Sequence, residues 1–391
     1  MLVSSIQTTD CHRKNTAYKQ PCFQASFVTL SQKNLGKHIS ENIVGVFNKG
    51  IYQSLKGSEH LAQFENIAKN ADFFTLAAGE GSRFRKLAQT YTDLTGIPAN
   101  KISLPVPLTE NTSIHMLDWG MVTGIPFAKT ENGIQSIIAA DKSGSFGDIY
   151  KYYAARRDKI KDVIVCCGDN VFGAKRGELL GFIKDVIENP NLRLGLIGAK
   201  KTPHEAAKRF GVLKVGNTIK NDRFHLAGFA EKPSMEEIMA SGMLTPDGNC
   251  VANTGMFVIK KDAMEALMSA VDKNPKLIAK AVDEPYDFAN AVKWVQKEFG
   301  EEKSAMKVVD TWEDVGEPQA LYRFLNDIKN KKFLGEFGND IAAKIQNAVR
   351  NRFQYDGKTG SLLLNGKYTL TNVPKSIKDN AVNIEGVDIM V

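Results

Sequence analysis

The stretch "FFTLAAGEGSRF", residues 73–84, decides how the rest of this chain is read. Its first four residues, Phe73 to Leu76, are an apolar run of strand type. They empty into a loop in which Gly79 and Gly81 flank Glu80, and Ser82 and Arg83 follow. A strand that ends in a glycine-rich turn aims successive backbone N–H groups at one point, where anions bind. Gly79 and Gly81 permit close backbone approach, Ser82 adds a donor, and Arg83 sets a fixed cation beside the anion. The loop lacks the Gly-Lys-Ser/Thr ending of a P-loop, and Phe84 stands where a dinucleotide fingerprint needs its third glycine.

Working outward, short apolar runs alternate with amphipathic stretches from Ala71 to about residue 330. "DVIVCCGD", "RLGLIGAK", "FGVLKV", "FHLAGFAE" and "TGMFVIK" read as strands. "GDIYKYYAARRDK", "RGELLGFIKDVIEN", "EEIMASG", "KDAMEALMSAV" and "DFANAVKWVQKEFG" read as helices. This alternation predicts an α/β fold, a mostly parallel sheet covered by helices on both faces. Ligands bind beyond the carboxyl ends of such strands. The glycine loop and the end of "CCGDN" therefore belong on one edge of the expected sheet.

Three regions are expected: an N-terminal extension over 1–70, a main domain over 71–330 and a C-terminal piece over 331–391. The extension starts polar, its only acid before Glu41 being Asp10, and its first forty residues offer little apolar surface to bury. Transit peptides share that acid-poor character, but arginine is scarce, and a plain polar tail is the expectation. Val44, Phe47, Ile51, Leu55, Leu61, Phe64 and Ile67 then recur at helical spacing. In the C-terminal piece, "FGNDIAAKIQNAVRNRF" reads as a helix. Short β-prone segments follow, with turn signals at Asp356-Gly357 and Asn365-Gly366.

Of 391 residues, 43% are apolar and 24% charged, enough for a sizeable core at an ordinary globular balance. The net charge of +7 suits anionic ligands, yet the basic residues are scattered, so neither a nucleic-acid nor a membrane partner is expected. No apolar run approaches the roughly 18 residues of a membrane span. The five cysteines include no CxxC pair and the six histidines are dispersed, which points to reduced thiols, no zinc site and a cytoplasmic protein.

Further motifs follow the glycine loop in order. "SGSFGD" (143–148) is a Gly-x-x-Gly turn able to lie against a planar base. "CCGDN" places Asp169 just past an apolar strand, where a carboxylate is costly unless it meets a cation or solvent. "GFAEKPS" holds Glu231 and Lys232 against Pro233. "VANTGMFVI" opens a strand with Asn253, Thr254 and Gly255, and "TWEDVGEP" sets Asp314 between an aromatic residue and a glycine turn.

With these residues in this order, the chain resembles the sugar-1-phosphate nucleotidyltransferases, the NDP-sugar pyrophosphorylases, over about residues 71–325. The segments that carry the resemblance are Leu76 to Phe84, Lys101, Gly144 to Asp148, Gly168-Asp169, Phe210 to Val212, Glu231 to Pro233, Asn253 to Gly255 and Trp312 to Gly316. The resemblance implies a Rossmann-like three-layer α/β/α nucleotidyltransferase domain. In it Leu76, Ala77, Ala78, Gly79, Gly81, Ser82 and Arg83 wrap a nucleoside triphosphate, and Gly144, Ser145 and Gly147 meet its base. It implies that Asp169 and Asp314 hold Mg²⁺ and that Gly211, Glu231, Lys232 and Asn253 bind the sugar phosphate. Arg83, Lys101, Asp169 and Lys232 are then the catalytic set. One departure concerns Lys101: two residues separate it from Pro98, where the family's lysine follows its proline directly, and Lys86 is the other candidate.

The reaction so implied is attack of a sugar phosphate oxygen on the α-phosphorus, with loss of pyrophosphate. That chemistry needs positioning and charge neutralisation more than a base, in keeping with the lack of any triad-like set. The alternatives are a cytidylyltransferase acting on a non-sugar phosphate such as phosphocholine, whose relatives share the "SRF" ending, and a catalytically silent regulatory subunit. The resemblance also implies a possible homo-oligomer.

Overall fold

The structure is a computed structural model. It describes residues 27–30, 66–67, 70–76, 105–107, 113–115, 128–130, 133–139, 146–154, 156–173, 176–279, 286–334 and 339–352, and five short strands between 354 and 390. The first strands are β1 (Phe27–Leu30), β2 (Ala71–Leu76), β3 (Pro105–Pro107), β4 (Ser113–His115), β5 (Ala128–Thr130) and β6 (Gly133–Ala139). Helix α1 (Gly147–Ala154) precedes β7 (Asp162–Cys167) and β8 (Asn170–Phe172). Then come α2 (Arg176–Glu188), β9 (Leu194–Lys201), the short α3 (Pro203–Ala206) and the hairpin β10 (Val212–Lys220) and β11 (Arg223–Ala230). The chain continues through α4 (Met235–Ala240), β12 (Cys250–Ile259), α5 (Lys261–Lys273) and α6 (Phe288–Phe299). It reaches β13 (Ser304–Val309), β14 (Trp312–Asp314), α7 (Pro318–Lys329) and α8 (Asn339–Arg352).

Alternation along the central strands creates the layers. Phe74 of β2, Val163 and Val165 of β7, Leu194 and Leu196 of β9, and Phe257 and Ile259 of β12 face one core, closed by α1, α5 and α6. Their neighbours Phe73, Ile164, Cys166, Ile197, Met256 and Val258 face a second core, closed by α2. Successive strand side chains point to opposite faces, so apolar runs without polar breaks produce a sheet buried on both sides.

The expected mostly parallel sheet is corrected by the pairing. The strand order is β1-β6-β2-β7-β12-β10-β11-β13-β9, with β5 against β6 and a further pairing of β12 with β9. β2 runs parallel to β6 and β7, and β9 parallel to β13. β12 runs antiparallel to β7, β9 and β10, and the other pairings within the sheet are also antiparallel. The reason is topological: the hairpin β10–β11 and helices α3 and α4 lie between β9 and β12 and return the chain in the opposite direction. A strand buried on both faces reads the same forwards and backwards, so its composition carries no direction. Because β9 pairs with both β12 and β13, the strands β12, β10, β11, β13 and β9 close into a ring.

At the ends of the chain, β1 lies antiparallel on β6, so the polar start contributes an edge strand. After α8, β15 (Gln354–Asp356), β16 (Ser361–Leu364), β17 (Tyr368–Thr371), β18 (Ala381–Ile384) and β19 (Val387–Met390) form an antiparallel sheet in chain order. Among the described residues no helix is long and apolar enough to cross a membrane.

Candidate active site

Parallel pairing sets the first two candidate segments side by side. Leu76 and Cys167 are register partners at the exits of β2 and β7, and the Gly168 amide donates to the Leu76 carbonyl at 3.0 Å. The loop that begins at Leu76 and the turn that carries Asp169 therefore leave the sheet at one place. Asp169 itself is 5% exposed.

A two-stranded ladder then brings in the distant "TWEDVGEP" segment. β8 and β14 pair antiparallel, with Asn170 opposite Asp314 and Phe172 opposite Trp312. The Val315 amide donates to the Asp169 carbonyl at 2.9 Å, so Asp169 and Asp314 enter one corner from opposite ends of the domain. Among the described residues no group of three or more His, Cys, Asp or Glu is arranged to hold a metal. The ladder brings Asp169 and Asp314 close in the fold, and an aspartate pair is the type of oxygen donor a small hard cation takes, one or two at a time, with phosphate oxygens and water in its other positions.

The "NTG" segment packs against the same corner. Asn170 Nδ2 donates to the Thr254 carbonyl, and Thr254 Oγ1 donates to the Ile197 carbonyl at 2.7 Å. Asn253 Oδ1 accepts from the Gly255 amide at 3.1 Å, shaping a turn where the β12–β9 register shifts. Gly255 has φ of +73°, and a Cβ there would lie 2.8 Å from Cys167 Sγ. Only glycine fits this close approach in the left-handed region.

On its far side Asn253 reaches the remaining candidates. Its amide donates to the Gly211 carbonyl at 2.7 Å. A Cβ on Gly211 would sit 2.9 Å from Glu231 Oε2, so the lack of a side chain leaves room for that carboxylate. Lys232 has φ of +48°, unusual for a residue with a side chain, and its amide donates to the Phe210 carbonyl at 3.2 Å. The Lys208 amide fixes the next residue through the Pro233 carbonyl at 3.0 Å. The Lys232 ammonium stands 3.9 Å from Glu231 Oε1 and is 56% exposed, open to an approaching anion.

Gly147 opens α1. The last turn of α1 lies over the start of β2, where the Tyr153 hydroxyl donates to Asp72 Oδ2 at 2.7 Å. Ala77, Ala78, Gly79, Gly81, Ser82, Arg83, Lys101, the alternative Lys86, Gly144 and Ser145 lie outside the described residues. Burial pushes the Cys166 thiol well above the ordinary range, with Cys167 and Asp169 adding to it, and burial pushes Cys250 up to about 11.

The sequence reading assigned no role to Asn170, although it ends the quoted "CCGDN". It also missed Arg209, Glu313, Glu317 and Arg323: the Arg209–Glu317 pair joins segments 108 residues apart, and Arg323 pairs with Glu313 and Glu317 within one stretch of chain. A separate cavity of about 880 Å³ opens at the mouth of the strand ring, lined by Lys200, Val215, Phe224, Val251 and Val308. It contains none of the candidate residues. At its rim Lys200 pairs with Asp247 and Asp310, and Asp222 pairs with Lys307.

Comparison with protein families matches residues 129–331, more than half the chain, to the model described as nucleotidyl transferase. The chain belongs to the nucleotidyl transferase family. Among curated proteins, none matches it. A crystal structure of UDP-glucose pyrophosphorylase complexed with UDP-glucose is similar, with a TM-score of 0.46 and 14% identity over 67% of this chain and 100% of that one. The nucleotidyl transferase match takes in Asp169, Gly211, Glu231, Lys232, Asn253 and Asp314, and starts after the glycine loop and β2.

Proposed function

We propose that this nucleotidyltransferase moves a nucleoside monophosphate from a nucleoside triphosphate to a sugar 1-phosphate, giving an NDP-sugar and pyrophosphate. The observation that supports this most directly is a continuous chain of contacts. It runs from the exit of β2, through Asp169 and Asp314, to Asn253, Gly211 and Glu231. The corner beside Asp169 and Asp314 is assigned to the triphosphate, and the face of Glu231, Lys232 and Asn253 to the sugar phosphate.

Each residue type suits its task. The Glu231 carboxylate and the Asn253 side-chain NH₂ are hydrogen-bonding partners for sugar hydroxyls, and Lys232 is a cation for the phosphate. The nucleophilic phosphate oxygen is already ionised, so the chain has only to hold two polyanions in line and offset their charge. Arg83 and Lys101 are assigned to the phosphates as the resemblance implies. Asp169 and Asp314 would hold a Mg²⁺ ion, which when bound supplies charge neutralisation and a template for phosphate oxygens.

The test is pyrophosphate release by the full chain, with ATP, CTP, GTP, UTP and dTTP each offered against hexose 1-phosphates and phosphocholine, with and without Mg²⁺. Release that needs one nucleotide and one sugar phosphate is the expected result. Release with phosphocholine alone would replace the sugar by a non-sugar phosphate, and silence from folded protein that binds nucleotide would make it a regulatory subunit.

A further inference from the structure

The two halves of the site are carried by different segments, and a line of charge joins them. On the sugar-phosphate side, Arg209 stands two residues before Gly211, whose carbonyl holds the Asn253 amide. On the other side, Glu317 stands two residues after Val315, whose amide holds the Asp169 carbonyl. Arg209 Nη2 donates to Glu317 Oε1 at 2.9 Å, across 108 residues of sequence. Glu317 is also the N-cap residue of α7, where the helix dipole favours a carboxylate.

The line continues behind this pair. Arg323, further along α7, donates through Nη2 to Glu313 Oε1 at 2.7 Å and lies 3.8 Å from Glu317 Oε1. Glu313, 8% exposed, is also 3.7 Å from Lys201 Nζ at the end of β9. Aromatic contacts repeat the connection: the Arg209 guanidinium lies 5.0 Å from the Phe210 ring centroid, and Phe210 meets Trp312 edge-on at 5.1 Å. Three of these contacts, Arg209–Glu317, Lys201–Glu313 and Phe210–Trp312, bridge the segment 209–211 or the end of β9 to the segment 312–317.

We infer that Arg209 and Glu317 are positioning residues, a clamp that fixes the sugar-phosphate side against the side carrying Asp169 and Asp314. The kinetic part of the inference rests on the reaction proposed above. Neither residue is assigned to a substrate. In-line transfer tolerates little error in the separation of the two reactants, and a displacement of about 1 Å is enough to cost up to about a hundredfold in rate. The pair is partly exposed, 32% and 21% at the two side chains, so it contributes little to global stability while still fixing relative position.

The test uses Arg209→Gln, Glu317→Gln, the double variant and Arg209→Lys in the full chain, with two readouts. The first is steady-state kinetics. Each single variant should lower kcat about tenfold while KM for both substrates stays within about a factor of two. The double variant should be no slower than either single, and Arg209→Lys should recover most of the rate. Additive losses, a change confined to KM, or unaltered kcat would overturn the clamp. The second is hydrogen exchange in the unliganded protein, followed on peptides spanning 250–256 and 312–317. Both peptides should lose protection together in either single variant, and unchanged protection in both would overturn the inference. If the unaltered chain releases no pyrophosphate with any substrate pair, the proposed reaction fails, and the exchange experiment alone decides the clamp.

Discussion

Asp169 is nearly buried and its main-chain carbonyl, not its carboxylate, accepts from the Val315 amide. Replacing the carboxylate by an amide of the same shape keeps that main-chain bond of the β8–β14 corner. Asp169→Asn and Asp314→Asn should each lower kcat by about 10²- to 10³-fold, with unfolding temperatures close to the unaltered chain, as when one preorganised charge interaction is removed from a transition state. Near-normal rates in both would withdraw the metal assignment. Lys232→Ala should raise KM for the sugar phosphate more than for the nucleotide, and equal effects would remove Lys232 from the sugar side.

A second residue-scale prediction concerns stability. Burial raises the Asp72 carboxyl above its ordinary value, while the Tyr153 hydroxyl bond and then Lys161 pull it back down. That bond favours the ionised form, so its contribution is present where Asp72 is ionised and is lost as pH falls through the raised folded value. Tyr153→Phe should cost about 1–2 kcal/mol at pH 8 and clearly less at pH 4, measured by denaturant unfolding. Equal losses at both pH values would show that the hydroxyl bond is not tied to the charge.

At the scale of elements, the "NTG" turn depends on backbone geometry. Gly255→Ala forces a side chain into the left-handed region and against Cys167 Sγ, which should destabilise the fold by about 2 kcal/mol. It should also slow turnover, because the turn that moves also carries Asn253. Much of this level was legible in the sequence. α2, α5 and α6 follow the apolar periodicity of "RGELLGFIKDVIEN", "KDAMEALMSAV" and "DFANAVKWVQKEFG", and the candidate residues stood out as polar groups at the ends of apolar runs. Direction and pairing were not legible. β12 is apolar on both sides of its Asn253-Thr254-Gly255 turn, and nothing in that composition marks it as antiparallel. In β13 Lys307 interrupts the apolar pattern, and its pairing with Asp222 is visible only once the strand is packed. β8 and β14 are three residues each, too short for any period, yet their pairing is what joins Asp169 to Asp314.

At the scale of the whole molecule, the family match begins at residue 129, but the sheet does not. β2 lies between β6 and β7 and pairs parallel with both, so the matched segment alone lacks a strand from the middle of its own sheet. Phe73 is 2% exposed and Phe74 1%, one in each of the two cores, and the rings of Tyr152 and Tyr153 pack on Phe74. A chain beginning at residue 129 would leave β6 and β7 with unpaired inner edges and strip a layer from both cores, so it should fail to unfold cooperatively and should aggregate. The full chain carrying Phe74→Ala separates packing from pairing. It keeps the β2 ladder, loses only the ring, and should remain folded at a cost of about 3–5 kcal/mol. A cooperative transition from the 129–391 chain, with calorimetric and van't Hoff enthalpies in agreement, would show that β2 is an addition to the sheet and not part of its foundation. The same outcome would detach the glycine loop from the fold it is assigned to serve, because that loop begins where β2 ends.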